Sequence, residues 1–142
     1  MKKILLLLVA LMSLLSCHQP TDVPYELMTN YFFRNDATIP SSPLIASSEQ
    51  FESLFGAAAF MGKNGQPTPV DFEREFVIAV VCPVTDQSTE LTPESLQKKD
   101  GELVFTYKKT TGDKQSWSME PVLLIKVDRA FLPERVQLQE NQ

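Results

Sequence analysis

The apolar residues of this chain form three kinds of pattern, and each predicts a different structure. Residues 4–15 are almost continuously apolar and follow Lys2 and Lys3, an arrangement typical of an export signal. This run is shorter than the roughly 20 residues that a membrane-spanning helix requires. Residues 48–55 have helical spacing, and several later runs have the alternating or continuous apolar pattern of strands. The pattern therefore predicts a leader followed by a domain with one helix and several strands.

The leader ends at a cysteine in a distinctive context. Two leucines and Ser16 precede Cys17, and this arrangement resembles the lipobox that bacterial lipoprotein signal peptidase recognises. The resemblance implies that residues 1–16 are removed as a signal peptide, that the Cys17 thiol is diacylated and that the new amino terminus is acylated. Two or three acyl chains anchor a protein stably, because each buried methylene contributes about 0.8 kcal/mol. In the alternative, an ordinary secretory signal, Cys17 is incidental.

Residues 48–55 carry the clearest helical pattern. Ser47 is a suitable N-cap, and Gln50, three residues later, can complete a capping box. Three apolar residues recur at positions i, i+3 and i+4 on one face: Phe51, Leu54 and Phe55. Gly56 is expected to end the helix in the left-handed conformation. We therefore predict a short amphipathic helix from Ser48 to Phe55.

Aromatic and β-branched residues predict about five strands. The predicted strands cover residues 25–34, 76–82, 103–107, 117–127 (broken near Pro121) and 131–138. Apolar residues occupy both parities from Phe76 to Cys82, which is typical of a central strand covered on both faces. Thr92–Leu96 is predicted to form one helical turn with Pro93 at its first position, and Thr111–Lys114 to form a turn. The predicted fold class is α+β, with a mainly antiparallel sheet of about five strands and one short amphipathic helix near the start.

Length and charge limit the domain count and the kind of partner. Removal of residues 1–16 from the 142-residue chain leaves 126 residues, which suits one domain. We expect residues 17–24 to be a lipidated tether and residues 25–142 to be the single domain. The mature chain has 11 basic and 18 acidic side chains, since Lys2 and Lys3 leave with the signal, and its formal charge is −7. Such a surface repels phosphate backbones, so nucleic acid is not an expected partner.

The residues that could carry chemistry are few. A lipidated Cys17 leaves Cys82 without a disulfide partner, so a hydrophobic core must hold the domain, with Cys82 as a small buried residue. The only histidine, His18, lies on the expected tether, where it cannot be held against a substrate as a general base. No motif for a metal, a phosphate or a cofactor is present, and none of these ligands is expected.

Two acidic segments offer carboxylates. Asp71 and Glu73 flank an aromatic residue, and Asp86 and Glu90 lie in a polar stretch. Paired carboxylates can hydrolyse glycosides or bind calcium. The simpler interpretation, that they are solvated loop charges, agrees better with the absence of any calcium-loop pattern.

The segment from residue 57 to residue 72 is long and has little regular pattern beyond a possible helical extension through its alanines. Long irregular loops are uncommon in compact domains unless they are functional or disordered. Phe60 and Met61 are not typical of disorder, so something should cover them. Either they fold back over the end of the core, or they anchor a partner-binding loop in which Asn64 and Gln66 offer hydrogen bonds.

The order of these features resembles a known family. The stretches SEQFESLFG from Ser48 and VDFEREFVIAV from Val70 follow a lipoprotein signal in the order found in the C-terminal domain of PrcB-type proteins. Those proteins are accessory lipoproteins that stabilise a surface protease complex. The resemblance covers residues 45–127 and implies an antiparallel meander after the second stretch, with a non-catalytic accessory role.

These observations lead to one principal hypothesis and two alternatives. The principal hypothesis is a lipid-anchored, non-catalytic protein of the cell envelope that binds a protein partner and stabilises or regulates an exported protease or surface complex. His18, rather than Asp, follows Cys17, which fits transfer to the outer membrane. The alternatives are a small envelope hydrolase that uses carboxylates near Asp71 and Asp86, and a structural subunit of a surface assembly joined by strand pairing.

Overall fold

The structure, a computed structural model, describes residues 19–142. The expected signal peptide and Cys17 lie outside the described residues. The strands are β1 (Thr21–Asp22), β2 (Glu26–Met28), β3 (Tyr31–Phe33), β4 (Leu44–Ile45), β5 (Phe55–Ala57), β6 (Glu75–Val81), β7 (Thr85–Lys99), β8 (Glu102–Met119), β9 (Val122–Asp128) and β10 (Val136–Asn141). Helix α1 (Ser48–Leu54) lies between β4 and β5, and a 3-10 helix (Arg129–Phe131) lies between β9 and β10.

Most of the strand residues belong to one long two-stranded ribbon that is folded over on itself. Strand β6 continues into β7 and strand β8 into β9; β7 pairs with β8, and β6 pairs with β9. Asp100 and Gly101 form the turn between β7 and β8. The ribbon changes sheet at Pro83 and Pro121, where the Cys82 N–H donates to the Pro121 carbonyl at 2.9 Å. We call this place the bend.

The folded ribbon gives two four-stranded sheets. The first sheet has the order β1-β7-β8-β10, and only its β8–β10 pair is parallel. The second sheet has the order β2-β9-β6-β4 and is antiparallel throughout. Strands β3 and β5 form a separate antiparallel pair, the outer ribbon. The fold is therefore mainly antiparallel sheet with one short α-helix among the described residues, but it has more strands and more sheets than the sequence pattern predicted.

Two hydrophobic cores hold these layers together. The first core lies between the two sheets and includes Phe76, Ile78, Val80, Leu96, Leu103, Phe105, Leu123, Ile125 and Val127. The second core lies on the opposite face of the second sheet, where α1 and the outer ribbon cover it; it includes Phe33, Phe51, Leu54, Phe55, Val77, Ala79 and Leu124. Alternate residues of β6 enter different cores, which confirms the prediction of a strand buried on both faces.

The helix begins as predicted but ends differently. The Ser47 hydroxyl accepts the Gln50 N–H at 3.2 Å, as expected of an N-cap. Phe55 is extended and pairs with Phe33, so the helix ends at Leu54. Gly56 lies in β5 and has no left-handed conformation, so the prediction of a glycine stop was wrong. A Cβ at Gly56 would lie 2.5 Å from the Phe32 ring, which explains why glycine fits there.

Strands replace two of the predicted turns. Thr92–Leu96 lies within β7 rather than forming a helical turn, and Pro93 lies at a shift in register, where its missing N–H is tolerated. Residues 111–114 lie within β8. The true turn is Asp100–Gly101, with φ of 52° and 79°, and Asp-Gly is a typical hairpin signal.

Three other predicted strands also have different bounds. Residues 25–34 form β2 and β3, separated at Asn30, whose φ is 66°. Trp117 belongs to β8, and the predicted break at Pro121 separates β8 from β9. The last strand begins at Val136, because the chain first makes the 3-10 helix.

The folded domain begins earlier than the expected boundary at residue 25. Thr21 and Asp22 pair with Lys98 and Gln97, and the Val23 N–H donates to the Leu96 carbonyl at 2.8 Å. Val23 is only 4% exposed, because it packs in the first core. Residues 21–24 are thus part of the domain rather than of a tether.

Candidate functional site

The candidate site is the loop that follows β5. No helix or strand lies between Ala57 and Glu75, in agreement with the irregular pattern of this segment. We call residues 58–68 the apolar loop. Its tip is closed by the Phe60 N–H, which donates to the Gly65 carbonyl at 2.9 Å, and by the longer Gly65 N–H to Gly62 carbonyl bond at 3.4 Å. Gly65 is buried against the Phe60 carbonyl, where a Cβ would lie at 1.9 Å, so only glycine fits.

Asn30 fixes the base of the apolar loop. Its side-chain Nδ2 donates to the carbonyls of Asn64 and Gln66, each at 2.8 Å. Its own carbonyl accepts the Ala58 N–H at 2.8 Å. Asn30 has the left-handed backbone conformation, which asparagine tolerates better than most residues. Asn30, which lies between β2 and β3, therefore holds both sides of the loop.

A second set of bonds holds the end of the apolar loop. The Thr29 N–H donates to the Thr68 hydroxyl at 2.9 Å, and the Thr68 N–H donates to the Thr29 carbonyl at 3.2 Å. The Tyr31 hydroxyl donates to the Thr68 carbonyl at 2.6 Å. Burial raises the pKa of Tyr31, which keeps this donor protonated. The loop is thus anchored at both ends.

The segment that returns from the loop to β6 is held by a nearly buried cation. Lys126 Nζ donates to the Pro69 carbonyl at 2.9 Å and lies 3.2 Å from a Glu75 carboxylate oxygen. Its side chain is only 12% exposed. Lys126, in β9, therefore links the segment after the loop to the second sheet.

The tip of the loop is exposed, although its base is fixed. Phe60 is 55% exposed and Met61 is fully exposed. The two residues therefore do not fold back over the core, and no other described residue covers Met61. Asn64 and Gln66 use their backbone carbonyls to hold the loop, and within residues 19–142 their side-chain amides make no hydrogen bond.

A second exposed aromatic residue lies on the outer ribbon, which leads into the loop. Phe32 is 48% exposed on the outer side of the outer ribbon, and its ring lies over Gly56. The exposed alanines of residues 57–59 lead directly from Gly56 to Phe60. We call Phe32, Phe60 and Met61 the apolar surface. Exposed apolar areas of this kind often mark interaction sites.

The structure does not bring the two acidic segments together. Asp71 precedes β6 and accepts the Glu73 N–H at 3.0 Å, whereas Asp86 follows β6 and pairs with Lys114 at 3.2 Å. The seven residues of β6 separate them by roughly 20 Å. Carboxylate pairs that hydrolyse glycosides are about 5–10 Å apart. Asp71 and Asp86 therefore do not form such a pair.

Cys82 lies at the bend in the first core, as predicted for a small buried residue. It is 7% exposed, and burial raises the pKa of its thiol. It borders a cavity of about 200 Å³ whose other walls include Thr89, Lys109 and Thr111. A raised pKa leaves little thiolate at neutral pH, which argues against a nucleophilic role.

Two kinds of feature are absent from residues 19–142. Nowhere in this range do three acidic, histidine or cysteine side chains lie close enough to hold a metal ion. No helix in the same range has the length and apolar character needed to cross a membrane.

The sequence pattern identified the tip of the loop but missed its support. Thr29 and Asn30 are turn-prone residues that interrupt the aromatic run of residues 25–34, and this interruption was the available signal. Their contacts with Thr68, Asn64 and Gln66 join positions more than 30 residues apart, so spacing within the sequence cannot reveal them.

The comparisons with known proteins found no similarity on which to place the chain. No family model matches it, and no curated protein or solved structure is significantly similar to it.

Proposed function

We propose that this chain is a lipid-anchored protein of the cell envelope that binds a protein partner through its apolar surface and catalyses no reaction. The observation that carries the proposal is Met61, which is fully exposed at the tip of a loop whose base is fixed by Asn30. A side chain that is fully exposed contributes little to the stability of the domain.

The chemistry of the apolar surface suits a protein partner. Aromatic residues and methionine are enriched at protein interfaces, and methionine adapts to irregular surfaces. The bonds from Asn30 and Thr29 order the loop before binding, so little conformational entropy remains to be lost on association. Phe60 and Met61 are therefore the expected anchors, with the free side-chain amides of Asn64 and Gln66 at the rim.

The envelope location rests on the amino-terminal sequence. Two lysines, the apolar run of residues 4–15 and the Ser16-Cys17 pair support export and lipidation at Cys17, and His18 supports the outer membrane. The resemblance of residues 45–127 to PrcB-type proteins supports an accessory role, in which the partner is an exported protease or surface complex that this protein stabilises or regulates.

A co-purification experiment tests the proposal. Tagged wild-type protein and the variants Phe60→Ser and Met61→Ser are isolated from detergent-solubilised membranes, and the co-purifying chains are identified. Both variants should lose the partner while keeping the wild-type unfolding midpoint, since exposed side chains contribute little to stability.

Leu132→Ser provides a matched control, because Leu132 is an exposed apolar residue (41%) that follows the 3-10 helix, outside the apolar surface. This variant should retain the partner. Retention of the partner by Met61→Ser and Phe60→Ser, at wild-type stability, would remove the apolar surface from consideration as the binding site.

A further inference from the structure

The amino terminus of the domain lies at one end of the folded ribbon. Thr21 pairs with Lys98 in β7, and the Asp100–Gly101 turn follows two residues later. A shallow depression at this place is lined by Lys98, Asp100, Gly101 and Leu132, so the turn and the segment after the 3-10 helix are neighbours. We call the Asp100–Gly101 turn and residues 131–134 the turn end.

The link between this end and the proposed anchor is short. Only four residue steps separate Cys17 from Thr21, and a fully extended chain spans at most about 14 Å over that distance. Thr21 and Asp22 cannot lengthen the link, because they pair with β7, and Val23 is buried in the first core. An anchor at Cys17 would therefore hold the turn end close to the bilayer.

The surface of the turn end is compatible with lipid headgroups. The charged residues in the turn end and directly beside it are balanced in sign: Lys98, Lys99, Arg135, Asp100, Glu102 and Glu134. Arg135 and Glu102 form an ion pair. Leu132 is 41% exposed there. The mature chain as a whole carries a formal charge of −7, so this end is less repelled by an anionic bilayer than the average surface.

The apolar loop lies toward the opposite end. Strand β2 runs antiparallel to β9, with Glu26 opposite Lys126 and Met28 opposite Leu124. Thr29 and Asn30, which hold the loop, therefore continue toward Val122 and the bend. From the start of β6 to its end the second sheet extends roughly 20 Å.

We propose that the domain stands on the bilayer with the turn end at the headgroup layer, and that the apolar surface is displaced from the membrane toward the partner. This inference rests on the proposed lipidation of Cys17 and adds the orientation in which the partner is met. The length of the link sets the orientation, and the balanced charge of the turn end permits it.

Site-specific fluorescence quenching tests this orientation. The acylated full-length chain, in a Cys82→Ala background, carries one labelled cysteine at either Leu132 or Ser116 and is reconstituted into phosphatidylethanolamine–phosphatidylglycerol vesicles containing headgroup spin-labelled lipid. Ser116 is the matched position, because it is exposed and lies near the bend. Quenching should be several-fold stronger for the label at position 132.

A variant with a longer link tests whether the length of the link sets the orientation. Insertion of about 15 glycine and serine residues between His18 and Gln19 gives a flexible linker that spans about 20 Å on average. Quenching at position 132 should then fall to the level seen at position 116, while the protein still sediments with the vesicles. Persistent strong quenching at position 132 would contradict an orientation set by the link.

The controls separate this inference from the proposed function. If the wild-type chain is not acylated and does not sediment with vesicles, the proposed anchor is wrong. If it is acylated and bound, but positions 116 and 132 are equally quenched, or position 116 more strongly, the orientation is wrong and the anchor stands. Cys17→Ala should show no quenching at either position.

Discussion

The two sheets of this protein differ most on their outer faces. In the first sheet the outward residues of β8 and β10 are mostly polar and face the solvent; they include Thr106, Lys108, Gln137 and Gln139. In the second sheet the outward residues of β6 and β9 are mostly apolar, including Val77, Ala79 and Leu124, and α1 and the outer ribbon cover them. A strand that is apolar at one parity needs one core, whereas β6 is apolar at both and needs two.

This difference explains why the candidate site is on one side of the molecule. The chain must cross the second sheet to form the outer ribbon and must then return to β6. The return segment contains the apolar loop, which ends in bonds to Thr29 and Tyr31. The polar face of the first sheet requires no such cover and carries no comparable loop among the described residues.

The largest expected effect comes from removing the centre of the second core. Phe51 is buried and packs against the rings of Tyr31, Phe55 and Phe72, at centroid distances of 5.2, 5.2 and 5.6 Å. We expect Phe51→Ala to lower the free energy of unfolding by about 3–5 kcal/mol. Urea unfolding measures this loss. The control Gln139→Ala, on the polar face, should change it by less than about 0.5 kcal/mol, and similar losses for both variants would contradict the contrast between the faces.

A smaller effect is expected where one side chain ties the outer layer to the second sheet. Arg129 Nη1 donates to the carbonyls of Phe72, Ala46 and Glu75 at 2.7, 3.2 and 3.4 Å. Arg129→Ala leaves these partly buried carbonyls unpaired and should lower the free energy of unfolding by about 1.5–3 kcal/mol. Hydrogen exchange should increase in α1 more than in β8. Uniform exchange in both elements would show that Arg129 does not link the layers selectively.

The base of the apolar loop provides the next test. Asn30→Ala removes two side-chain bonds and places alanine, which tolerates the left-handed region less well than asparagine, at a φ of 66°, so we expect a loss of about 1–3 kcal/mol in the free energy of unfolding. Asn30→Gly removes the same bonds but tolerates the backbone, and its loss should be smaller. Equal losses would show that the backbone conformation contributes nothing. Both variants should weaken partner binding, because the loop loses its order.

We expect the smallest effect on the free energy of unfolding at neutral pH for Tyr107, which lies at the edge of the first core. Burial, together with the Glu140 carboxylate that accepts its hydroxyl at 3.1 Å, raises the pKa of Tyr107 to about 12. The unfolded chain ionises near pH 10, so the folded state loses this stabilisation as the pH rises from about 10 to 12. Tyr107→Phe should show a shallower decline in unfolding free energy over that interval than the wild type. Parallel declines would indicate that Tyr107 does not titrate as a buried group.

The sequence predicted those features that depend on neighbouring residues. The Ser47 cap and the helical face need only local spacing, and the double burial of β6 follows from its own apolar residues. Gly56 and Pro93 were misinterpreted, because the Phe32 ring and the register shift with β8 decide their roles. The Asp100–Gly101 signal is local and could have been recognised.

The candidate site, too, could be predicted only in part from the sequence. Phe60 and Met61 stand out in the sequence, because apolar residues are unusual in an irregular segment. Whether they are buried or exposed depends on where Asn30 and Thr29 hold the loop, and these contacts span 34 to 39 positions in the chain. Sequence alone therefore left both alternatives open.

Site-specific photo-crosslinking tests most directly whether the apolar surface binds a partner. A benzophenone amino acid is introduced at Met61, or at Leu132 as the exposed control, and intact cells are irradiated. We expect one discrete crosslinked species of higher mass from position 61 and none from position 132. The absence of a species from position 61 in a protein that is expressed and folded, or the same species from both positions, would contradict the proposed binding site.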